Sequence, residues 1–387
     1  VFDENEQATR SEEYLALREL WLEYGGLTSY PGEVARLGLQ RIRQPDGQWI
    51  DRDIESLRWL FDTTLLQAEI GVAQQFATYR SDDVELSSSQ RDRSYLFGNV
   101  STQWRPGHYI GLRTVLADDR EDVPDIGETT DADSKLAERR FGWLGVRLDS
   151  GYYDHSLRQP WAYWAEVSLL NGEQTVAEVA AASDPTLPVP LPPAEEPASV
   201  VSNTRSNDIN ATAFDLGTRL RIEAGVPVVV GAGYSVAEGE SENRSYQQTG
   251  LQSNRSRFTG TRALLHRYNE AYRAELSNLQ VFTGFVSLPG ERYDASLVFN
   301  SFRREDGNAP VVTRGLDIQP VNQSADLGNG VDLVMSYYFG GIGKVTSFDD
   351  DLRSNVRLRA ALFEPGKAYG PDADSQYRVL LETTLWF

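Results

Sequence analysis

Arginine is the residue type in this sequence whose spacing could do chemistry as a group. Wherever residues alternate between apolar and polar, Arg113, Arg147, Arg219, Arg221, Arg357, Arg359 and Arg378 fall on the polar side. Arg219/Arg221 and Arg357/Arg359 stand two residues apart, so both members of each pair point to the same face of a strand. A guanidinium fork matches a carboxylate at two points and keeps its charge at any relevant pH. Several of them facing a common space would draw anions. The same residues also fit a scaffolding role, each paired with an acidic loop, and 57 Asp and Glu against 37 Lys and Arg supply partners enough. Both readings stand on the residues alone.

Catalytic chemistry is poorly served. His108, His155 and His266 fall at a turn, a turn and a loop, with no Ser and Asp or Glu spaced to complete a triad. Cysteine is absent, which excludes disulfides and thiolate metal sites, and no His/Asp/Glu cluster has metal-ligand spacing. The glycine-rich pieces lack the strand–GxGxxG–helix setting of a nucleotide site. We therefore expect no enzyme, no metal and no cofactor.

The elements that would position the arginines are strands. The last of them, 376–387, alternates strictly: Tyr377, Val379, Leu381, Thr383, Leu385 and Phe387 face one way, and Gln376, Arg378, Leu380, Glu382, Thr384 and Trp386 the other. Further strands are expected at 14–24, 34–43, 54–62, 64–76, 95–104, 108–117, 139–149, 160–171, 212–223, 226–236, 272–284, 291–303, 328–339 and 352–363. The segment 172–211, which contains PTLPVPLPPAEEP, reads as a long irregular loop. Connections alternate between short (105–107, 224–225) and long (77–94, 118–138, 237–271). A soluble sandwich gives no reason for such a rule. An outer-membrane barrel does, having short periplasmic turns, long outer loops and strands of about ten residues. No run of about 18 apolar residues exists for a transmembrane helix. A net charge of −20 argues against nucleic acid as a partner.

The expected fold is thus all-β, a single transmembrane antiparallel outer-membrane β-barrel over residues 1–387, with outer-membrane lipid around it. Fifteen strands is an odd count, whereas single-chain bacterial barrels have even ones. Together with the lack of a leader at Val1 and an acidic, loop-like start, this suggests that strands are missing at the N-terminus.

The stretches YLALRELWLEYGGLTSYPGE (14–33), DGQWID (46–51), QQTGLQSNRSRFTGTR (247–262), ELSNLQ (275–280), YDASLV (293–298) and LFEPGKAYGP (362–371) resemble the alginate export porins of pseudomonads. Several gap-free blocks in the same order, from about residue 11 to Phe387, make the resemblance specific. It implies an 18-stranded Gram-negative outer-membrane barrel, of which 15 strands are present here, exporting alginate or a similar polyuronate through an electropositive lumen. It implies a pore lined by Arg18, Arg41, Arg255, Arg267, Arg357 and Arg359, tempered by Asp51 and Asp82. The family pattern has Arg where this chain has Leu264, Glu at Thr78 and Asn at Asp53, which leaves the polymer's identity open. A polyuronate would advance by passing successive carboxylates between neighbouring arginines. The resemblance further implies a gate, an outer loop by position at 237–271 and a periplasmic turn at 340–351, and a lipoprotein of a periplasmic secretion complex as partner. The alternative is a general or uronate-uptake anion-selective porin.

Overall fold

The computed structural model describes residues 15–79, 81, 86, 92–119, 123–130, 134–154, 159–181, 199–240, 244–316, 318–339 and 353–386. Among the described residues, fifteen strands follow one another along a single antiparallel sheet, each paired with its neighbours in sequence, and a two-residue strand, Thr129–Thr130, pairs off this path with Ser199 and Val200. They are β1 (Leu20–Tyr24), β2 (Glu33–Arg43), β3 (Asp51–Asp62), β4 (Leu66–Gln74), β5 (Arg93–Arg105), β6 (His108–Asp119), β7 (Ala137–Asp149) and β8 (Trp161–Ala181). After them come β9 (Ser199–Ala224), β10 (Val226–Ala237), β11 (Leu279–Pro289), β12 (Tyr293–Arg303), β13 (Asp326–Phe339), β14 (Arg353–Pro365) and β15 (Gln376–Trp386). Among the described residues β1 pairs only with β2 and β15 only with β14.

Alternation sets which face is wet. On β9, Leu216, Leu220 and Ile222 are exposed while Asp215 and Arg219, on the alternate positions, are buried. The partner residues Tyr234 and Val230 on β10 oppose Leu216 and Leu220, extending the outward apolar face. The same division holds on β14, where Leu358 and Leu362 point out and Asn355, Arg359 and Phe363 point in. An apolar outer surface on a hydrogen-bonded sheet satisfies the backbone without water, which is what a bilayer demands of a strand. At the short-turn end the outer surface carries aromatic pairs, Trp161 with Tyr163 and Tyr337 with Phe339 at ring separations of 5.0 and 4.8 Å. Such rings mark the level of a membrane interface.

Three expectations need correction. The segment 172–211 is not one irregular loop: β8 continues to Ala181 and β9 starts at Ser199, paired through Ser199↔Ala181. In the extension Glu173, Gln174, Thr175, Glu178 and the polar run 202–208 interrupt the apolar residues, so the regular alternation that signals a strand is absent there, and the Pro-rich stretch 185–197 lies outside the described residues. The strand expected at 272–284 begins only at Leu279. Tyr272 instead belongs to the preceding loop, its ring stacked on Phe363 at 4.2 Å, and the loop is bent by positive φ at Asn269, Arg273 and Asn278. Finally, β1 is shorter than 14–24, because Leu15 and Leu17 bond to Ser81 and Tyr79 rather than to β2.

Candidate functional site

Two connections fold into the barrel rather than away from it. The first, residues 44–50 between β2 and β3, carries Asp46, whose carboxylate accepts from the guanidinium groups of Arg113 and Arg147 on the far wall. Burial opposes ionisation of Asp46, but the two arginines outweigh it and hold the carboxyl well below the usual carboxylate range. Trp49 donates its indole N–H to Glu166 Oε1 at 2.5 Å. Its ring lies on Gly145, where an added Cβ would come within 2.5 Å of the indole. Arg113 and Arg147 thus point inward, as alternation implies, yet they are buried and neutralised.

The second connection runs from Glu238 to Asn278 and traverses the barrel lengthwise. It descends beside the first through a parallel bridge of Leu251 to Ile50 and a bond from Ser253 Oγ to Asp51 at 2.5 Å. A small hairpin follows, Arg255–Ser256 against Leu265–His266. In the loop between its two strands, Arg262 donates to the carbonyls of Gly290 and Glu291 at 3.0 and 2.9 Å, in the short turn at the opposite end of the wall. Phe258, Ala263 and Leu265 pack there among Tyr152, Trp164 and Phe285. On the return, Arg267 forks onto Asp215 with both bonds at 2.7 Å.

The arginines singled out from the sequence divide into two sets. Arg267 and Arg359 have side chains only 6% and 4% exposed, and each fixes the inserted segment to the wall. Arg359 reaches Glu270 Oε1 at 3.0 Å, the carbonyl of Leu264 at 2.7 Å and Glu382 at 3.1 Å. Arg41 and Arg255 remain 35% and 31% exposed and Arg357 14%. Arg41 is held by Asp51 and Asp53 at 2.6 and 3.1 Å, and Arg18 touches Asp53 more loosely at 3.5 Å. Arg357 donates to Ser336 Oγ at 2.9 Å and stands 3.6 Å from Glu382. Asp82 and the turn 340–351 lie outside the described residues. Leu264 and Thr78 bring no charge, and Asp53 supplies a second carboxylate to Arg41.

Four contributors escaped the sequence reading. Glu270 joins Arg255 and Arg359, each at 3.0 Å. Its burial disfavours the carboxylate, yet Arg255, His266, Arg359 and Arg273 together keep its pKa below the usual value. Arg43 stands 3.7 Å from Asp51. Arg257 has no carboxylate within salt-bridge range among the described residues. Burial first, then the nearby Arg43 and Arg357, push its pKa down. Arg273 is lowered to about 10 by burial and by Arg378, Arg255 and Arg314. Like charges thus crowd Arg257 and Arg273. No sequence pattern announces a loop residue such as Glu270 or Arg257, since loops have no period.

A family model described as alginate export matches residues 2–380. The chain belongs to the alginate export family. The alginate production protein AlgE of Pseudomonas aeruginosa is 39% identical over 386 residues, spanning 99% of this chain and 76% of its own length. AlgE of Azotobacter vinelandii is 33% identical over 403 residues, covering 100% and 77%. Among solved structures, OccK11 of Pseudomonas aeruginosa and OccAB1 of Acinetobacter baumannii each align over 92% of this chain at 10% identity and a TM-score of 0.44, covering 78% and 75% of their own chains. Membership in the alginate export family makes this an outer-membrane β-barrel channel and not an enzyme. The resemblance and the barrel expectation are both borne out.

Proposed function

We propose that the channel exports an anionic polyuronate, alginate or a near relative, along a strip of arginines between β2, β14 and the inserted segment 238–278. The supporting observation is the division of the arginines: Arg41, Arg43, Arg255 and Arg357 keep contact with solvent while their buried counterparts act as staples. Carboxylates on successive sugars would exchange between these forks, with Asp51 and Asp53 weakening each site enough for release. Arg267 and Arg359, in this reading, hold the lining in place and do not touch the polymer. The inserted segment is then a fixed lining rather than a swinging lid, because opening it would break the buried pairs to Asp215 and Glu270. Gating would fall to the turn 340–351 or to a periplasmic lipoprotein of the secretion complex.

The test is ion current through single channels in planar bilayers. The parent should be anion-selective and blocked by mannuronate oligomers. Arg255→Gln with Arg357→Gln should weaken block by about tenfold or more, given ~1.5–3 kcal/mol for a hydrogen bond to a charged group. A double variant that blocks like the parent and keeps its anion selectivity overturns the reading. Block by short oligomers alone, without passage of longer ones, would favour an uptake porin.

A further inference from the structure

A second cavity, of about 410 Å³, opens near the long-loop end of the barrel and is separate in lining from the strip described above. Its walls come from the outer ends of β3, β5 and β7, from the first and last turns of the inserted segment, and from the loop 304–325. Four arginines line it. Arg93 is forked onto Asp119 and Arg314 is bonded to Glu275 at 2.6 Å. Arg52 and Arg139 have no carboxylate within salt-bridge distance among the described residues, and the buried Nε of Arg139 has no hydrogen-bond partner at all. Neither guanidinium is neutralised by a described carboxylate, and an anion in the cavity would supply that counter-charge. Trp143 and Tyr95 supply ring faces, the indole N–H of Trp143 being already committed to the carbonyl of Gln247 at 2.7 Å. Gln174, Gln248 and Thr249 add neutral hydrogen-bonding groups of the kind sugar hydroxyls use.

We propose that this cavity is a second, exit-side subsite for a carboxylate-bearing sugar, with the anion on Arg52 and Arg139 and the sugar face against Trp143 and Tyr95. The assignment rests on the uronate reading of the channel. Its volume lies in the ~300–1,000 Å³ range of small-molecule sites, room for a short oligosaccharide but not for a folded chain. Arg273, 3.9 Å from Glu270, lies within electrostatic range of both Arg255 on the strip and Arg314 at the cavity and puts a cation between the two sites. A polymer leaving the strip would therefore meet a second anchoring point before reaching solvent, which favours onward movement over retreat.

Titration calorimetry of the full chain in detergent with mannuronate disaccharide tests this, with maltose as the neutral control. The parent should bind two equivalents, and R52Q/R139Q should bind one, with the affinity of the remaining equivalent unchanged. R52K/R139K should retain the second equivalent with affinity reduced by about tenfold, as a point charge replaces a fork. If R52Q/R139Q still binds two equivalents with parental affinity, the subsite is overturned while the channel reading survives. If the parent neither binds the disaccharide nor is blocked by it, both fall together.

Discussion

Replacing Arg267 by Met should undock the inserted segment locally without unfolding the wall. Asp215 would lose both charge-assisted bonds at 2.7 Å. It would keep the indole N–H of Trp164 and the hydroxyl of Ser235, each also at 2.7 Å. Removing one partner of a buried pair costs ~3–5 kcal/mol, and the two remaining donors place this case near the lower end, about 3 kcal/mol. At ~1.4 kcal/mol per decade that corresponds to a roughly 100-fold larger open population. The sequence has no cysteine, so one introduced thiol reports alone. Ser256 is the place for it: fully buried in the small hairpin, with an Oγ that has no hydrogen-bond partner to lose. Maleimide labelling of Ser256→Cys in micelles should accelerate about 100-fold in the Arg267→Met background. In the double Arg267→Met/Asp215→Asn background, where no charge is left buried alone, labelling should return to within about tenfold of the parent. Labelling of the single variant at the parental rate would show that the pair does not anchor the segment.

Two further outcomes follow. Docking of residues 44–50, followed by Trp49 fluorescence in a Glu166→Gln background, should not change between pH 7 and about pH 4.5. The folded pKa of Asp46 is depressed, so its contribution is complete above the unfolded value of ~3.9 and is lost only as pH falls through the lower folded value; a transition near pH 6 would contradict this. Spin labels at Leu216, Thr218, Leu220 and Ile222 or at Val228, Val230, Ala232 and Tyr234 should be relaxed by oxygen dissolved in lipid and not by a water-soluble nickel complex, and the reverse pattern would remove the barrel from the bilayer.

How much of this was legible depended on whether a residue had a period to betray it. The inward direction of Arg113, Arg147, Arg219 and Arg359 follows from two-residue alternation, because one flank of each strand must meet lipid. What alternation cannot report is who waits inside. Asp46, in a Pro-Asp-Gly turn that reads as surface, neutralises Arg113 and Arg147 instead of standing in solvent. Glu270 and Arg257 belong to a segment whose path is dictated by Asn269, its side chain accepting from the N–H groups of Ala271 and Tyr272 at 3.0 and 2.8 Å, and by the ring stack of Tyr272. The resemblance to alginate exporters named Arg255, Arg357 and Arg359 together, but not that Arg359 is sealed against Glu270 while Arg357 remains accessible. That distinction comes from burial, a property of three-dimensional packing that strand periodicity does not carry.

The lengthwise path of the segment 238–278 bears on how the molecule is assembled. Each wall strand pairs with its neighbours in sequence, so the hairpins close loops far smaller than those the segment closes. Docking of the segment instead unites Gln248 with Gln48, Ser253 with Asp51 and Gln48 with Tyr268, partners 200, 202 and 220 residues apart. Closing loops of that length is entropically dearer and kinetically later than zipping neighbouring strands. The segment also needs both walls present, since Arg267 seeks β9 and Arg359 reaches it from β14. The newly inserted chain therefore passes through a stage in which the wall stands and the bore is still vacant. Whatever keeps the periplasm sealed during that interval has to be something other than the segment that later fills it.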